Sequence, residues 1–345
     1  MSQPLLSLAV IVRDQASQLD ALLKNHRQLY DEAVVVDTGS LDDSAEAAAA
    51  LDARVISSRW RQDFSAARND ALAHCSGRWI LVLDCDEAIG PEDQVSLKRW
   101  LQEASPCLGI MDQRNYTYRT GHLGFVPVDG CDAELSHGAP GFILRRQIRV
   151  FPGGADLHYS GRVHETLEKS PSARVLTRSC LDIPVHHYGH LEGTRGHLRR
   201  IQRNGELLRR EIREHPFDPV LLTEFAEQLV AEGRLDFARR VCLRALEVAP
   251  GHSELHQTRL LLARLDWQDD PDMALRQAER ALADRPDLPE CWREAVRTNF
   301  SQGQVGRAFR VCKQGLVVFP RDPVLKRLYT QVSGAGADIK CAENG

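Results

Sequence analysis

Trp79-Ile80-Leu81-Val82-Leu83-Asp84-Cys85-Asp86-Glu87 decides the reading of this chain. Its apolar run predicts a buried strand, and spaced carboxylates follow at the strand end. Side chains alternate along a strand, so two carboxylates one residue apart would point the same way. Such a pair suits a hard divalent cation, which prefers oxygen ligands and often keeps substrate phosphate in its shell. A polar loop after a buried strand has the same letters, so the context has to decide. Just upstream, Asp63-Phe64-Ser65-Ala66-Ala67-Arg68-Asn69 predicts a helix that carries a basic residue, with Asp63 as its N-cap.

Working outward, the first hundred residues alternate strand and helix. Leu5–Val12, Ala33–Val36, Arg54–Ser57 and Trp79–Leu83 read as strands. Gln18–Tyr30 has Leu19, Leu22, Leu23 and Leu29 at helical spacing, and Asp42–Leu51 is an Ala-rich helix. Asp42 and Asp43 are placed to cap that helix, and Pro91 opens another that runs to Leu101. Repeated strand–helix–strand units predict a mostly parallel sheet with helices on both faces. From about Leu108 to Tyr188 the pattern changes. Strands Ile143–Phe151 and Leu181–His186 lie among Gly- and Pro-bearing loops, with 119–141 expected as loop, and this stretch reads as a mixed-sheet half completing the domain.

The rest is helical. Thr194–His215 is a long basic helix. Beyond it, Leu222, Phe225, Ala226, Leu229, Ala238, Cys242, Ala245 and Pro250 recur 70 positions on as Trp292, Ala295, Val296, Asn299, Ala308, Cys312, Gly315 and Pro320. A middle copy holds Thr258, Leu261, Leu262, Leu265, Ala274, Ala278, Ala281 and Pro286. Units of about 34 residues with small residues where paired helices touch resemble tetratricopeptide repeats. The predicted division is 1–192, an α/β domain; 193–216, a connecting basic helix; 217–332, helical repeats; and 333–345, a flexible tail.

Composition narrows the function classes. The 345 residues are 43% hydrophobic and 27% charged, and the formal net charge of −4 gives no bulk attraction to nucleic acid. No apolar run reaches the roughly 20 residues that span a bilayer, and the start lacks signal-peptide character. Nine cysteines without a C-x-x-C pair argue against a disulfide framework or a structural zinc site. Reduced thiols in a cytoplasmic protein are the expectation. Cys85, inside the carboxylate motif, reads as a small packing residue.

Ligands of an open α/β sheet bind outside the carboxyl ends of its strands. Asp37, Asp84 and Asp86 all fall at predicted strand ends, which converges three carboxylates on one edge, although Asp37 alone would read as a turn residue. Arg68 could neutralise phosphate bidentately, or pair with Asp63 or Asp70. His187 ends a strand, precedes Tyr188-Gly189, and could complete a metal shell begun by carboxylates. Glu165, in Gly161-Arg162-Val163-His164-Glu165, could act as a general base or support a ligand, or pair with Arg162 or Lys169.

Together these motifs resemble the family-2 glycosyltransferases, over about residues 5–215. The resemblance is carried by Val34-Val35-Val36-Asp37-Thr38-Gly39-Ser40, Trp60, Asp63-Phe64, Ala67-Arg68-Asn69 and Leu83-Asp84-Cys85-Asp86-Glu87. Arg149-Val150-Phe151, His164-Glu165, His187-Tyr188-Gly189 and Arg203-Asn204 extend it. Ser40-Leu41-Asp42-Asp43 stands where the family usually has Ser-Thr-Asp-Gly, and Arg13-Asp14-Gln15 replaces the usual Lys-Asn-Glu. The resemblance implies the nucleotide-sugar-binding fold, a nucleotide-sugar donor with uracil as base, and Mn²⁺ or Mg²⁺ bridging its diphosphate. It implies Asp37 on the nucleobase, Asp84 near the ribose, and Asp86 and His187 on the metal. Arg68 would support the departing diphosphate, and Glu165 would deprotonate the acceptor in an inverting displacement, with Asp132 and Glu134 as the next candidates. The acceptor is expected to be a peptide, a protein or a cell-envelope saccharide.

Two other readings compete. One is an interaction scaffold whose transferase-like domain is inactive; retention of Asp37, Arg68, Asp84, Asp86 and His187 argues against it. The other is a nucleotidyltransferase, disfavoured because Arg13–Leu19 contains no Gly. The repeats would present an acceptor, bind a protein partner or mediate dimerisation through their concave face.

Overall fold

The computed structural model describes residues 3–118, 120, 125–128, 133–189, 191, 194–250 and 255–343. The chain divides into two compact units, Met1–Leu198 and Arg199–Gly345.

In the first unit, β1 (Leu6–Val12), β2 (Glu32–Asp37), β3 (Arg54–Ser57) and β4 (Trp79–Val82) pair in parallel, in the order β3-β2-β1-β4. Their apolar residues supply both faces in turn, as strand alternation requires. Leu8, Val10, Val12, Val35 and Leu81 join a core shared with Leu19, Leu22 and Leu23 of α1 (Ala16–Asn25). Ala9, Val34, Val36, Ile80 and Val82 join the opposite core. Each buried Val or Leu is worth about 1.5–3 kcal/mol, so slipping the register of one strand would cost several such terms. Short α2 (Ser44–Ala49) follows β2, and α3 (Phe64–Leu72) follows β3.

After β4 the sheet becomes mixed. The short β5 (Glu87–Ala88) precedes α4 (Pro91–Glu103), whose Leu97 and Leu101 enter the first core. Strands β6 (Leu108–Thr117), β7 (Phe125–Pro127), β8 (Gly141–Pro152) and β9 (Arg178–His187) complete nine strands among the described residues. Order continues β4-β8-β6-β9-β5, with β7 alongside β8. β8 runs antiparallel to both β4 and β6, while β9 runs parallel to β6 and antiparallel to β5.

Three expectations need correction here. Segment 119–141, read as loop, contains β7. β6 escaped the pattern reading because its inward positions include Gln113 and Asn115, polar residues that break the apolar period. β4 ends at Val82, so Asp84 and Asp86 lie in a turn closed by the Glu87 N–H donating to the Asp84 carbonyl at 3.0 Å, and strand alternation does not align them.

α5 (Thr194–Glu214) leads into the second unit, which pairs α6 (Pro219–Ala231) with α7 (Leu235–Val248), α8 (Leu255–Asp266) with α9 (Pro271–Asp284), and α10 (Pro289–Ser301) with α11 (Val305–Val318). Ala226, Ala238, Cys242, Ala245, Ala274, Ala278, Ala281, Ala308 and Cys312 are fully buried, as small residues at helix crossings should be. At Gly315 an added Cβ would stand 3.2 Å from side-chain atoms of Trp292 and Leu325, a tight fit that those side chains would have to relax to admit. The last helix, α12 (Pro323–Glu343), continues through residues 333–343, where a loose tail was expected.

Candidate functional site

α3 is built to hold two polar side chains in place. Asp63 caps it, accepting from the Ala66 N–H at 3.0 Å. Arg68, on the buried face, donates from Nη2 to Asp84 Oδ1 at 2.8 Å and from Nε to Glu165 Oε1 at 2.5 Å. Its guanidinium also lies over the Tyr159 ring, 5.5 Å from the centroid. The expected partners Asp63 and Asp70 are taken elsewhere: Asp63 caps the helix, and Asp70 bonds Arg61 and Ser58. Neighbouring Asn69 clamps the Tyr159 backbone, donating to its carbonyl at 2.9 Å and accepting from its N–H at 2.8 Å.

Glu165 comes from a short loop. Ser160 and Thr166 form a two-way backbone bridge, each N–H donating to the other's carbonyl at 3.0 Å. Gly161 turns at φ 102° and His164 at φ 55°, conformations that favour glycine and cost a side-chain-bearing residue. The Phe64 N–H donates to the Arg162 carbonyl at 2.9 Å, which ties this loop to the start of α3. Glu165 therefore pairs with Arg68, not with Arg162 or Lys169, the partners named from sequence.

The carboxylate turn splits into three environments. For Asp84, burial pushes the pKa up, but the charges of Arg68 and Arg149 outweigh it and hold the carboxyl at about 2. Glu87 turns inward and is nearly fully buried. It accepts from Arg149 Nη2 at 2.5 Å, from Gln113 Nε2 at 2.5 Å and from the Asp84 N–H at 2.8 Å. Burial raises its pKa above the ordinary value, with Arg149 opposing. Asp86 instead faces His187, with Oδ2 3.4 Å from Nε2. The Tyr188 N–H donates to the Asp86 carbonyl at 2.9 Å, extending the β5–β9 ladder in which Glu87 pairs with His187. Burial alone would lower the His187 pKa; the hydrogen bond and charge of Asp86, with Glu87 and Asp84, raise it overall. Cys85 is buried, and burial pushes its thiol pKa well up, which suits packing rather than nucleophilic chemistry.

Asp37 is the last residue of β2, at the same end of the parallel strands. Its Oδ1 accepts from the Gly39 N–H at 3.1 Å, the Ser40 N–H at 2.9 Å and the Ser40 hydroxyl at 2.7 Å. All three bonds end on one oxygen, and Gly39 turns at φ 99° to make them. Asp42 bonds the N–H groups of both Ala16 and Ser44, at the starts of α1 and α2. Glu134 is exposed in a turn, and Asp132 lies outside the described residues.

The structure thus joins Arg68, Asp84 and Glu165 in one cluster, places Asp86 and His187 as a facing pair, and leaves Asp37 in its own turn. Sequence reading assigned nothing to Arg149, Glu87, Gln113, Asn115 or Tyr159. Of these, Arg149 carried a signal, since it stands between Ile148 and Val150-Phe151, and a charge buried among such neighbours demands a partner.

Among the described residues no group of three or more His, Cys, Asp or Glu side chains converges on one metal position. Asp86 and His187 nevertheless supply a carboxylate oxygen and an imidazole nitrogen, a donor set that suits Mn²⁺ or Mg²⁺ with the remaining positions filled by phosphate and water. Adjacent ligands of an octahedral cation with bonds of ~2.1 Å stand roughly 3 Å apart, close to the observed gap. Arg68 Nη1 and Arg149 Nε are buried without a hydrogen-bond partner among the described residues, an arrangement that is costly unless a ligand meets it.

Parts of the chain are similar to known proteins. Residues 7–134 match the family model described as glycosyl transferase family 2. A TPR repeat-containing protein of Synechococcus elongatus is 29% identical over 331 residues, which cover 91% of this chain and 75% of that protein. The SPbeta prophage-derived glycosyltransferase SunS of Bacillus subtilis is 20% identical over 228 residues, 66% of this chain and 49% of its own length. This chain therefore spans three quarters of the first relative and about half of the second. A thermophilic TPR protein of Thermus thermophilus is 20% identical in sequence, with a TM-score of 0.35 over 40% of this chain and 76% of that structure. Among the described residues no helix is long and apolar enough to cross a membrane. Residues 7–134 are thus similar to glycosyl transferase family 2, and the helical pairs beyond them fall within the stretch that is similar to the TPR repeat-containing protein.

Proposed function

We propose that the first unit is an inverting glycosyltransferase that moves a sugar from a UDP-sugar donor to a peptide, protein or cell-envelope saccharide acceptor. The observation that carries this reading is the meeting of Arg68, Asp84 and Glu165 beside the Asp86–His187 pair, at the sheet end where α/β domains bind ligands.

Asp37 would accept from the nucleobase through Oδ2, since Oδ1 is committed to its turn. Asp84, kept ionised by Arg68 and Arg149, would accept from the ribose hydroxyls. A Mn²⁺ or Mg²⁺ ion held by Asp86 and His187 would supply positive charge to the diphosphate. Arg68 would add its unpaired Nη1 donor toward that charge as it develops. Glu165 would take the acceptor hydroxyl proton, with its Oε1 anchored by Arg68 and its other oxygen turned to the acceptor. The repeats would present the acceptor, bind a protein partner or pair two copies of the chain.

Calorimetric titration of UDP, with and without Mn²⁺, into the chain and its Asp86→Ala variant tests the reading. Binding that needs both metal and Asp86 is expected, with transfer lost in the variant and the fold kept. UDP binding that ignores both would sink the metal-assisted model. Glu165→Gln should lower turnover more than donor binding; if it lowers neither, the base lies elsewhere.

A further inference from the structure

Strand β6 meets β9 with an irregularity. Met111 pairs with Leu181, yet Gln113 pairs with Val185, so the register moves by two within three residues of β9, where Pro184 sits. Proline cannot donate to the ladder and is tolerated at such bulges. A shift of two keeps every side chain on its face, and it brings Asn115 beside His187 instead of Val185.

Asn115 is buried there, and its amide can face only one way. Nδ2 donates to Gln113 Oε1 at 3.1 Å and to the Ile143 carbonyl at 3.2 Å, which turns Oδ1 to His187 Nδ1 at 2.7 Å. An amide oxygen only accepts, so Nδ1 must carry the proton. In the neutral ring Nε2 then holds a lone pair, and it faces the Asp86 carboxylate at 3.4 Å. Two acceptors facing each other across that gap call for positive charge between them, either a proton on Nε2 or a divalent cation.

We propose that Asn115 is a positioning residue that fixes the His187 ring and tautomer, presetting the Asp86–His187 pair for a divalent cation. This rests on the metal reading above. Metal-ligating histidines are commonly held this way through their second nitrogen, and losing the holder typically costs about 10–100-fold in metal affinity.

The test is a nitrogen–proton correlation spectrum of the imidazoles in the metal-free full chain at alkaline pH, with His187 assigned through His187→Gln. We expect the Nδ1–H tautomer. In Asn115→Leu the single tautomer should be lost, and Mn²⁺ binding in the presence of UDP, read by electron paramagnetic resonance, should weaken about 10–100-fold. Asn115→Asp keeps an oxygen acceptor and should restore the tautomer and most of the affinity. A proton on Nε2 in the unsubstituted chain overturns the proposal with no variant needed. So does unchanged Mn²⁺ affinity in Asn115→Leu where Asp86→Ala has lost it. If Asp86→Ala and His187→Gln both bind Mn²⁺ as tightly as the parent chain, the metal reading itself fails and takes the presetting role with it.

Discussion

Both units set arginines against carboxylates, but they find their partners by different rules. In the repeat unit Arg239–Asp266, Arg259–Asp284, Arg264–Glu294 and Arg293–Asp322 are separated by 27, 25, 30 and 29 residues. Each arginine meets an acid somewhat less than one repeat away, because each helical pair packs mainly on the next. In the sheet unit Arg68 reaches Asp84 and Glu165, 16 and 97 residues away, and Arg149 reaches Glu87, 62 residues away. No period links those distances. The repeat pairs staple neighbours, whereas the sheet pairs gather groups from α3, a turn, a loop and β8 into one place.

The largest effect should come from breaking the gathered cluster. Arg68→Met strands two carboxylates in a largely enclosed site and should destabilise the sheet unit by about 3 kcal/mol, read as a lowered urea midpoint. Among the described residues, Arg293→Met leaves the Asp322 carboxylate its bond to the Leu325 N–H, and it should cost about 2 kcal/mol in the repeat unit. If the second loss exceeds the first, the contrast between a shared cluster and a simple staple is wrong.

Acid sharpens the same contrast. The folded pKa of Asp84 lies below its unfolded value, so its contribution is fully present above about pH 4. It is lost as pH falls toward about 2. With a third of the side chain still in solvent, screening limits that contribution to about 1 kcal/mol. Arg68→Met should flatten this part of the acid-unfolding curve, and an unchanged slope would mean that Arg68 does not set the Asp84 charge. The smallest effect belongs to the exposed Arg244–Glu247 pair. Glu247→Ala should shift stability by less than about 0.5 kcal/mol, and a larger loss would show that the repeats depend on surface charge.

Legibility in the sequence followed the same division. The repeats were readable because one packing solution recurs, so Ala238, Ala274 and Ala308 announce one another. The parallel half of the sheet was readable because β1, β2 and β4 are buried on both faces and run apolar over most of their length. Strand β6 was not, since Gln113 and Asn115 occupy inward positions to serve Glu87 and His187. At the site, the residue types were legible and their partners were not. Asp84 and Asp86, expected to act side by side, diverge because β4 stops two residues short of the first.

By itself the sequence determined the two-part architecture, the alternation of strand faces, the helical period of the repeats and the presence of Arg68, Asp84, Asp86, Glu165 and His187. Local spacing controls all of these, since strand and helix periods act within a few residues. Only the tertiary structure decided that Arg68 bridges Asp84 and Glu165, that Glu87 turns inward to Arg149, and that Asn115 meets His187. Those contacts depend on strand order and on a register shift in β9, which set distances between residues far apart in the chain and leave no period to read.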